Sequence, residues 1–108
     1  MTIGSGAHRR PMPADARIYR SIGPFDNQSI PKGLLAEHRL KPDVWARLEL
    51  DEGTVTFVWD DSAGGLEKLT APTQLIVPPE VPHHLEADSA FRLSIHFCSI
   101  PKAEIDNT

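Results

Sequence analysis

Apolar and polar residues alternate along much of the chain from residue 17 onward, most regularly at residues 44–51 and 91–97. A period of two is that of a β-strand, whose successive side chains point to opposite faces of a sheet. No segment shows the period of about 3.6 residues that an amphipathic helix requires. The pattern therefore predicts an all-β fold with helix content near zero.

Turns rich in glycine and proline divide this pattern into about eight short strands, spaced as in a β-sandwich or barrel. The predicted strands include residues 17–22, 34–41, 44–51, 54–59, 66–70, 75–77 and 91–97. Residues 51–53 are Asp-Glu-Gly, and glycine supplies the positive φ that tight hairpin turns need. We therefore expect a hairpin between the strands at 44–51 and 54–59.

The chain has 108 residues, enough for one hydrophobic core and too few for two. Its first 16 residues are rich in glycine and proline and offer little apolar surface to bury. We expect a flexible N-terminal arm at residues 1–16 and a single β domain at residues 17–108.

Charge and composition exclude several functional classes. The formal net charge is −4, so a nucleic-acid or anionic membrane partner is not expected. Cys98 is the only cysteine, which excludes an intrachain disulfide and suits a reducing compartment. No apolar run approaches the roughly 20 residues that cross a bilayer, and the N-terminus lacks an apolar core of signal-peptide type. We expect a cytoplasmic protein.

A proline-rich turn fixes the position of a histidine. The segment PPEVPHHLE, at residues 78–86, follows a short apolar strand, and proline cannot donate to a sheet ladder. His83 follows this rigid turn and shares a strand face with Leu85, so we expect it to point inward. The alternation at residues 34–41 likewise places His38 on an apolar face. Two inward histidines are the candidates for a binding site.

The chain resembles the small cupins of the tellurite-resistance TehB/YeaR-like family. The pattern P-P-x-x-P-H-x-x-E is similar to the second cupin motif, and an upstream histidine, a W-x-x-L and a hairpin glycine complete the match. The matching positions are His38, Trp45, Arg47, Gly53, Pro78, Pro79, His83 and Glu86. The resemblance implies a cupin-type double-stranded β-helix, which is an antiparallel barrel or sandwich, with a histidine-bound metal inside it.

The chain departs from the cupin pattern at two places. The general first motif has two histidines spaced H-x-H and a later glutamate, whereas Arg39 and Leu40 follow His38 here. Members of the family often carry an acidic residue near the end of the last strand, where this chain has His96. The first difference removes one expected ligand, and the second leaves the third ligand open.

We predict that His38 and His83 bind a divalent metal ion, with His96 as the preferred third ligand and Glu86 as the reserve. Imidazole is a preferred ligand of borderline ions, so zinc, nickel or iron is expected. The alternative is that the two histidines are hydrogen-bonded members of the core.

The predicted roles of His96 and Glu86 depend on strand faces. His96 alternates with an apolar set that includes Leu93 and Ile95. If that set faces the barrel interior, His96 lies outside it; if the set is covered by another strand or subunit, His96 lines the pocket. Glu86 falls on the face of His84, where a solvated carboxylate is the alternative. His84 is expected at the surface, unless Pro82 shifts the register by one.

Trp45, Arg47 and Glu49 share one strand face, and we place Phe57 and Trp59 with them. Such a cluster suits either an anion pocket, because guanidinium pairs with oxyanions, or a contact between two subunits. For a small all-β domain, dimerisation is the simpler interpretation. We expect a homodimer.

Three functions remain compatible with the sequence. The first is a metal-binding cupin that acts on or senses a small anionic or oxidising compound, as the tellurite-resistance resemblance implies. The second is a metal-dependent enzyme such as a dioxygenase or isomerase, in which open coordination positions take the substrate. The third is a metal-free module that binds a small molecule. No acid–base pair with diagnostic spacing identifies a reaction or a catalytic residue.

Overall fold

A computed structural model describes residues 10–101 of the chain. Its regular structure consists of six β-strands and one short 3-10 helix at Lys32–Leu34. The strands are β1 (Arg17–Phe25), β2 (Trp45–Trp59), β3 (Leu66–Thr70), β4 (Thr73–Val77), β5 (His83–Glu86) and β6 (Phe91–Ser99). No α-helix occurs among these residues, so the prediction of an all-β fold is confirmed.

The long strand β2 belongs to both sheets of the fold. Its first half pairs with β4 on one side and β6 on the other, and β1 extends this sheet beyond β6. Its second half pairs with β3 and β5 in a second sheet. All of these pairings are antiparallel, as expected for a cupin-like fold.

Gly53 marks the point at which β2 passes from one sheet to the other. It pairs with Phe91 of β6, whereas the next residue, Thr54, pairs with Thr70 of β3. The φ angle of Gly53 is +83°, as the sequence predicted. The predicted hairpin was nevertheless wrong, because the segments before and after Gly53 pair with other strands instead of with each other. Positive φ here serves a bend within one strand.

A register irregularity between Leu50 and Glu52 reverses which residues of β2 face the core. Even-numbered residues are buried before it and odd-numbered residues after it: Ala46, Leu48 and Leu50, then Val55, Phe57 and Trp59. The expectation that Phe57 and Trp59 share a face with Trp45 was therefore wrong.

Trp45, half-buried on the outer face, lies with its ring centroid 5.5 Å from the Arg10 guanidinium. The homodimer stays a prediction, with less aromatic surface to support it.

Residues 34–41 do not form the predicted strand. Only His38 pairs there, in an isolated antiparallel bridge with His83. Leu34 and Leu40 are partly buried against the core. The alternation at these positions thus reflects a loop that covers one part of the core, because apolar spacing reports burial and not backbone pairing.

The core lies between the two sheets and draws its buried apolar side chains from every strand except β1. Residues 10–16 contain no strand, and the rest of the predicted arm lies outside the described residues. Within residues 10–101, no helix is long and apolar enough to cross a membrane.

Candidate functional site

The structure brings His38 and His83 together. The backbone N–H of each donates to the carbonyl oxygen of the other, at 3.0 Å from His38 and 2.9 Å from His83. The two rings lie edge to face, with centroids 4.3 Å apart and an interplanar angle of 67°. The pairing that the sequence predicted between these two histidines is therefore present, and a two-hydrogen-bond bridge fixes their separation.

The hydrogen bonds of the two rings indicate which ring nitrogen keeps a lone pair that could bind a metal ion. His38 Nδ1 lies 2.9 Å from the carbonyl oxygen of Ala36, and His83 Nδ1 lies 2.8 Å from that of Val81. A carbonyl oxygen only accepts, so in the neutral form of each ring Nδ1 carries the hydrogen and Nε2 keeps its lone pair. Neither Nε2 has a hydrogen-bond partner within residues 10–101. A backbone carbonyl on one ring nitrogen is the usual support for a histidine that binds a metal through the other.

His83 is held in an apolar environment. Its side chain is 5% exposed, and its ring stacks on Phe57 with centroids 5.0 Å apart. Burial lowers the pKa of His83 to about 4, and the nearby ring of His38 acts in the same direction, against the hydrogen bond to Val81. His83 is therefore neutral at physiological pH, which is the form that binds metals.

The proline-rich turn positions His83 as the sequence predicted. Pro78 is fully buried, and Glu80 adopts a φ of 65° within the turn. The carbonyl oxygen of Pro82 accepts the N–H of Asp60 at 2.8 Å. β5 then begins with His83 paired to Trp59 at the end of β2. The turn therefore attaches His83 to the end of β2, where Trp59 is buried.

Both histidines line a cavity of about 300 Å³ between the two sheets. Most of its wall is apolar and comes from β2, β4, β5 and β6 together with the loop before β2. Its remaining polar lining consists of Tyr19, Arg20, Arg39 and Lys41. Sequence reasoning missed Arg39 and Lys41 because in a regular strand both would point away from the face of His38. It did not single out Tyr19 or Arg20.

His96 lies on the outer face of the β1–β6–β2–β4 sheet and does not line the cavity. Its Nε2 is 3.0 Å from Oε1 of Glu49, and its Nδ1 is 2.7 Å from Oγ of Ser21. Gln74 donates to the second oxygen of Glu49 at 2.8 Å. Leu93 and the other apolar residues of β6 face the core, which is the first of the two cases that the sequence left open.

Glu86 also lies apart from the histidine pair, in contact with His84. His84 Nε2 is 2.8 Å from a carboxylate oxygen of Glu86, and His84 Nδ1 is 2.7 Å from one of Asp60. The hydrogen bonds to Asp60 and Glu86 raise the pKa of His84. The sequence signal for this cluster was the placement of His84 and Glu86 on one strand face, which was interpreted as surface, with Glu86 as a reserve metal ligand.

Among residues 10–101, no group of three or more His, Cys, Asp or Glu side chains is arranged to hold one metal ion. The geometry thus assembles two of the four predicted ligands, His38 and His83, and leaves His96 and Glu86 in separate clusters. The ligand roles of all four residues stay predictions.

We expect the pKa of His83 to lie below the ordinary histidine value of 6.5 and the pKa of the adjacent His84 to lie above it. In metal-free protein at pH 6.5, His83 should be neutral because it is buried, and His84 should be mostly protonated because two carboxylates flank it. Long-range ¹H–¹⁵N spectra of the imidazole rings, recorded from pH 4 to 8, measure both values and the tautomer of His83. A pKa for His83 at or above that of His84 would contradict the burial described here.

The TehB-like domain profile matches residues 20–95. The chain belongs to the TehB-like family. This confirms the resemblance that the sequence motifs indicated. The comparison with curated proteins gives no match.

Solved structures of similar fold agree with this assignment. A protein from E. coli K12 is 25% identical, with a TM-score of 0.75 over 86% of this chain and 99% of that chain. TehB from Haemophilus influenzae is 18% identical, with a TM-score of 0.75 over 90% of this chain and 37% of TehB. The chain therefore spans only about a third of TehB. The Fe(II) form of HppE is 18% identical over 58% of this chain, with a TM-score of 0.51, and supports a cupin-like fold.

Proposed function

We propose that this TehB-like domain is a metal-binding cupin that holds one divalent ion through Nε2 of His38 and Nε2 of His83 and binds a small molecule beside it. The observation that carries the proposal is the pairing of two histidines whose Nδ1 atoms are both bonded to backbone carbonyls at the wall of one cavity. Two imidazoles directed in this way are the donor set that zinc, nickel and iron accept.

The donor set of this chain is small. Structural zinc sites use four protein ligands and catalytic zinc sites usually three, whereas two are assembled here among the described residues. Two histidines leave several coordination positions to water or to a bound molecule. The ion would supply Lewis acidity, while burial keeps His83 neutral and the apolar walls would shield one side of the ion from water.

The test is a titration of untagged, metal-free protein with Zn²⁺, Ni²⁺ and, under anaerobic conditions, Fe²⁺. Fe²⁺ is included because the structurally similar HppE is an iron(II) protein. We expect saturation at one ion per chain by isothermal calorimetry and a shift of the His83 ring resonances on loading. Binding of no more than a trace of all three ions would refute the proposed metal site.

The competing function is a metal-free binding module, which the low pKa of His83 and its stacking on Phe57 also suit. In that case the same titration leaves the His83 resonances unchanged while small molecules still bind in the cavity. A dioxygenase or isomerase activity would require metal first. We retain the cytoplasm as the proposed location, on the basis of the single cysteine.

A further inference from the structure

The charges around the cavity differ from those of the chain as a whole. The chain carries 15 acidic and 11 basic side chains, with a net charge of −4. The residues that line the cavity nevertheless include three cations, Arg20, Arg39 and Lys41, and neither Asp nor Glu. These cations create a local positive potential that favours anions, although the chain as a whole is acidic.

Two of these cations have no acidic partner in the described part of the chain. Arg20 and Lys41 form no ion pair with any residue between positions 10 and 101. Arg39 contacts Glu37 at 3.8 Å, with both side chains 58% exposed, and an exposed pair at that distance contributes little. All three cations are exposed residues, whereas His83 and Phe57 are buried deeper in the same cavity.

The cavity thus has an apolar interior and a cationic rim. A bare inorganic oxyanion would gain nothing from the apolar walls, because burying a charge there removes its hydration without compensation. A molecule with an apolar body and one anionic group matches both regions, with the body between the sheets and the charge at the rim. The volume of about 300 Å³ is at the low end of small-molecule sites, which span about 300–1,000 Å³.

We infer that the cavity binds a small amphipathic organic anion, such as a medium-chain or aromatic carboxylate, with its anionic group held by Arg20, Arg39 and Lys41 and its apolar body directed towards the histidine pair. The inference deepens the proposed function, since it names the class of molecule that would lie beside the metal. It does not require the metal for binding, because the rim cations and apolar walls belong to the protein.

The experiment measures binding of linear carboxylates from acetate to octanoate by calorimetry, with metal-free and metal-loaded protein. Each methylene that enters the cavity should raise the affinity about fourfold until the cavity is full. Hexanamide, the neutral analogue of hexanoate, should bind at least about tenfold more weakly because it lacks the charge. Tellurite and phosphate test the inorganic alternative.

The double variant Arg20→Gln/Lys41→Gln should weaken hexanoate binding at least about tenfold and leave hexanamide binding unchanged. Arg17→Gln is the matched control, because Arg17 is an exposed cation on the same strand that does not line the cavity. Its hexanoate affinity should equal that of the unmodified protein.

The outcomes separate this inference from the metal proposal. Hexanoate binding without any metal binding would support the inference and refute the proposed metal site. Metal binding at His83 without carboxylate binding would support the proposed metal site and refute the inference. Equal affinity for acetate and octanoate, equal affinity for hexanamide and hexanoate, or cavity binding of tellurite in preference to hexanoate would each overturn the inference.

Discussion

Replacing His83 by phenylalanine is expected to lower the affinity for the divalent ion by more than about 100-fold while the fold is retained. Changes to groups that merely orient a ligand cost about 10–100-fold, so removal of one of two ligands should cost more. Phenylalanine is chosen because it preserves a ring against Phe57 and avoids an empty space in the core. Calorimetric titration with the ion that binds the unmodified protein gives the affinity, and thermal unfolding checks the fold.

The adjacent residue supplies the control for this experiment. His84→Ala removes an imidazole one position along the same strand, but that ring contacts Asp60 and Glu86 instead of the cavity. Its metal affinity should match that of the unmodified protein. His96→Ala and Glu86→Ala decide the predicted third ligand, and on the geometry described above neither should change the affinity. Full metal stoichiometry and affinity in the His83→Phe protein would show that this histidine is not a ligand.

Replacing Gly53 by alanine is expected to destabilise the protein by about 3 kcal/mol. A φ of +83° strains any residue that has a Cβ atom. A Cβ at this position would also meet the backbone of the neighbouring strand, since it would clash with the Ala90 carbonyl oxygen and lie 2.8 Å from Cα of Phe91. Urea unfolding measures the change.

Gly33→Ala is the matched substitution. A Cβ added at Gly33 would have no heavy atom within 4 Å, and Gly33 lies in the short 3-10 helix without a positive φ. Its stability should be unchanged or slightly increased, because alanine restricts the unfolded chain. If the two alanine variants were equally stable, the strain and the clash assigned to Gly53 would be wrong.

The sequence was sufficient for the all-β class and for the inward direction of His83, because both depend on local features, whereas the proximity of His38 to His83 was implied by the resemblance to cupins. Alternation of apolar and polar residues indicates strands directly. The prolines before His83 fix the backbone at the start of β5, and this does not depend on which strand β5 pairs with. The inward direction of His38 was also correct, although its segment is a loop. The strands and the inward direction of His38 were predicted from the order of apolar residues, which indicates which side chains are buried.

The sequence could not predict features that depend on how the strands pair. The irregularity after Leu50 reverses the faces of β2, and Gly53 beside it was interpreted as a hairpin turn instead of a bend within one strand. The aromatic residues Phe57 and Trp59 were therefore assigned to the wrong side. The positions of His96 and of Arg20 depend on the β1–β6 pairing, which places Ser21 opposite His96 and Arg20 opposite Phe97, residues distant in the sequence.

The continuity of β2 links the two walls of the cavity. Since one strand belongs to both sheets, the sheets are not separate bodies. Two backbone hydrogen bonds with His83 and one from Glu80 to Leu40 fasten the loop before β2 to the turn opposite it. The same loop carries His38, so lifting it would separate the two histidines. The part of the cavity wall that carries His38 and the pairing of the two imidazoles therefore depend on the same backbone hydrogen bonds.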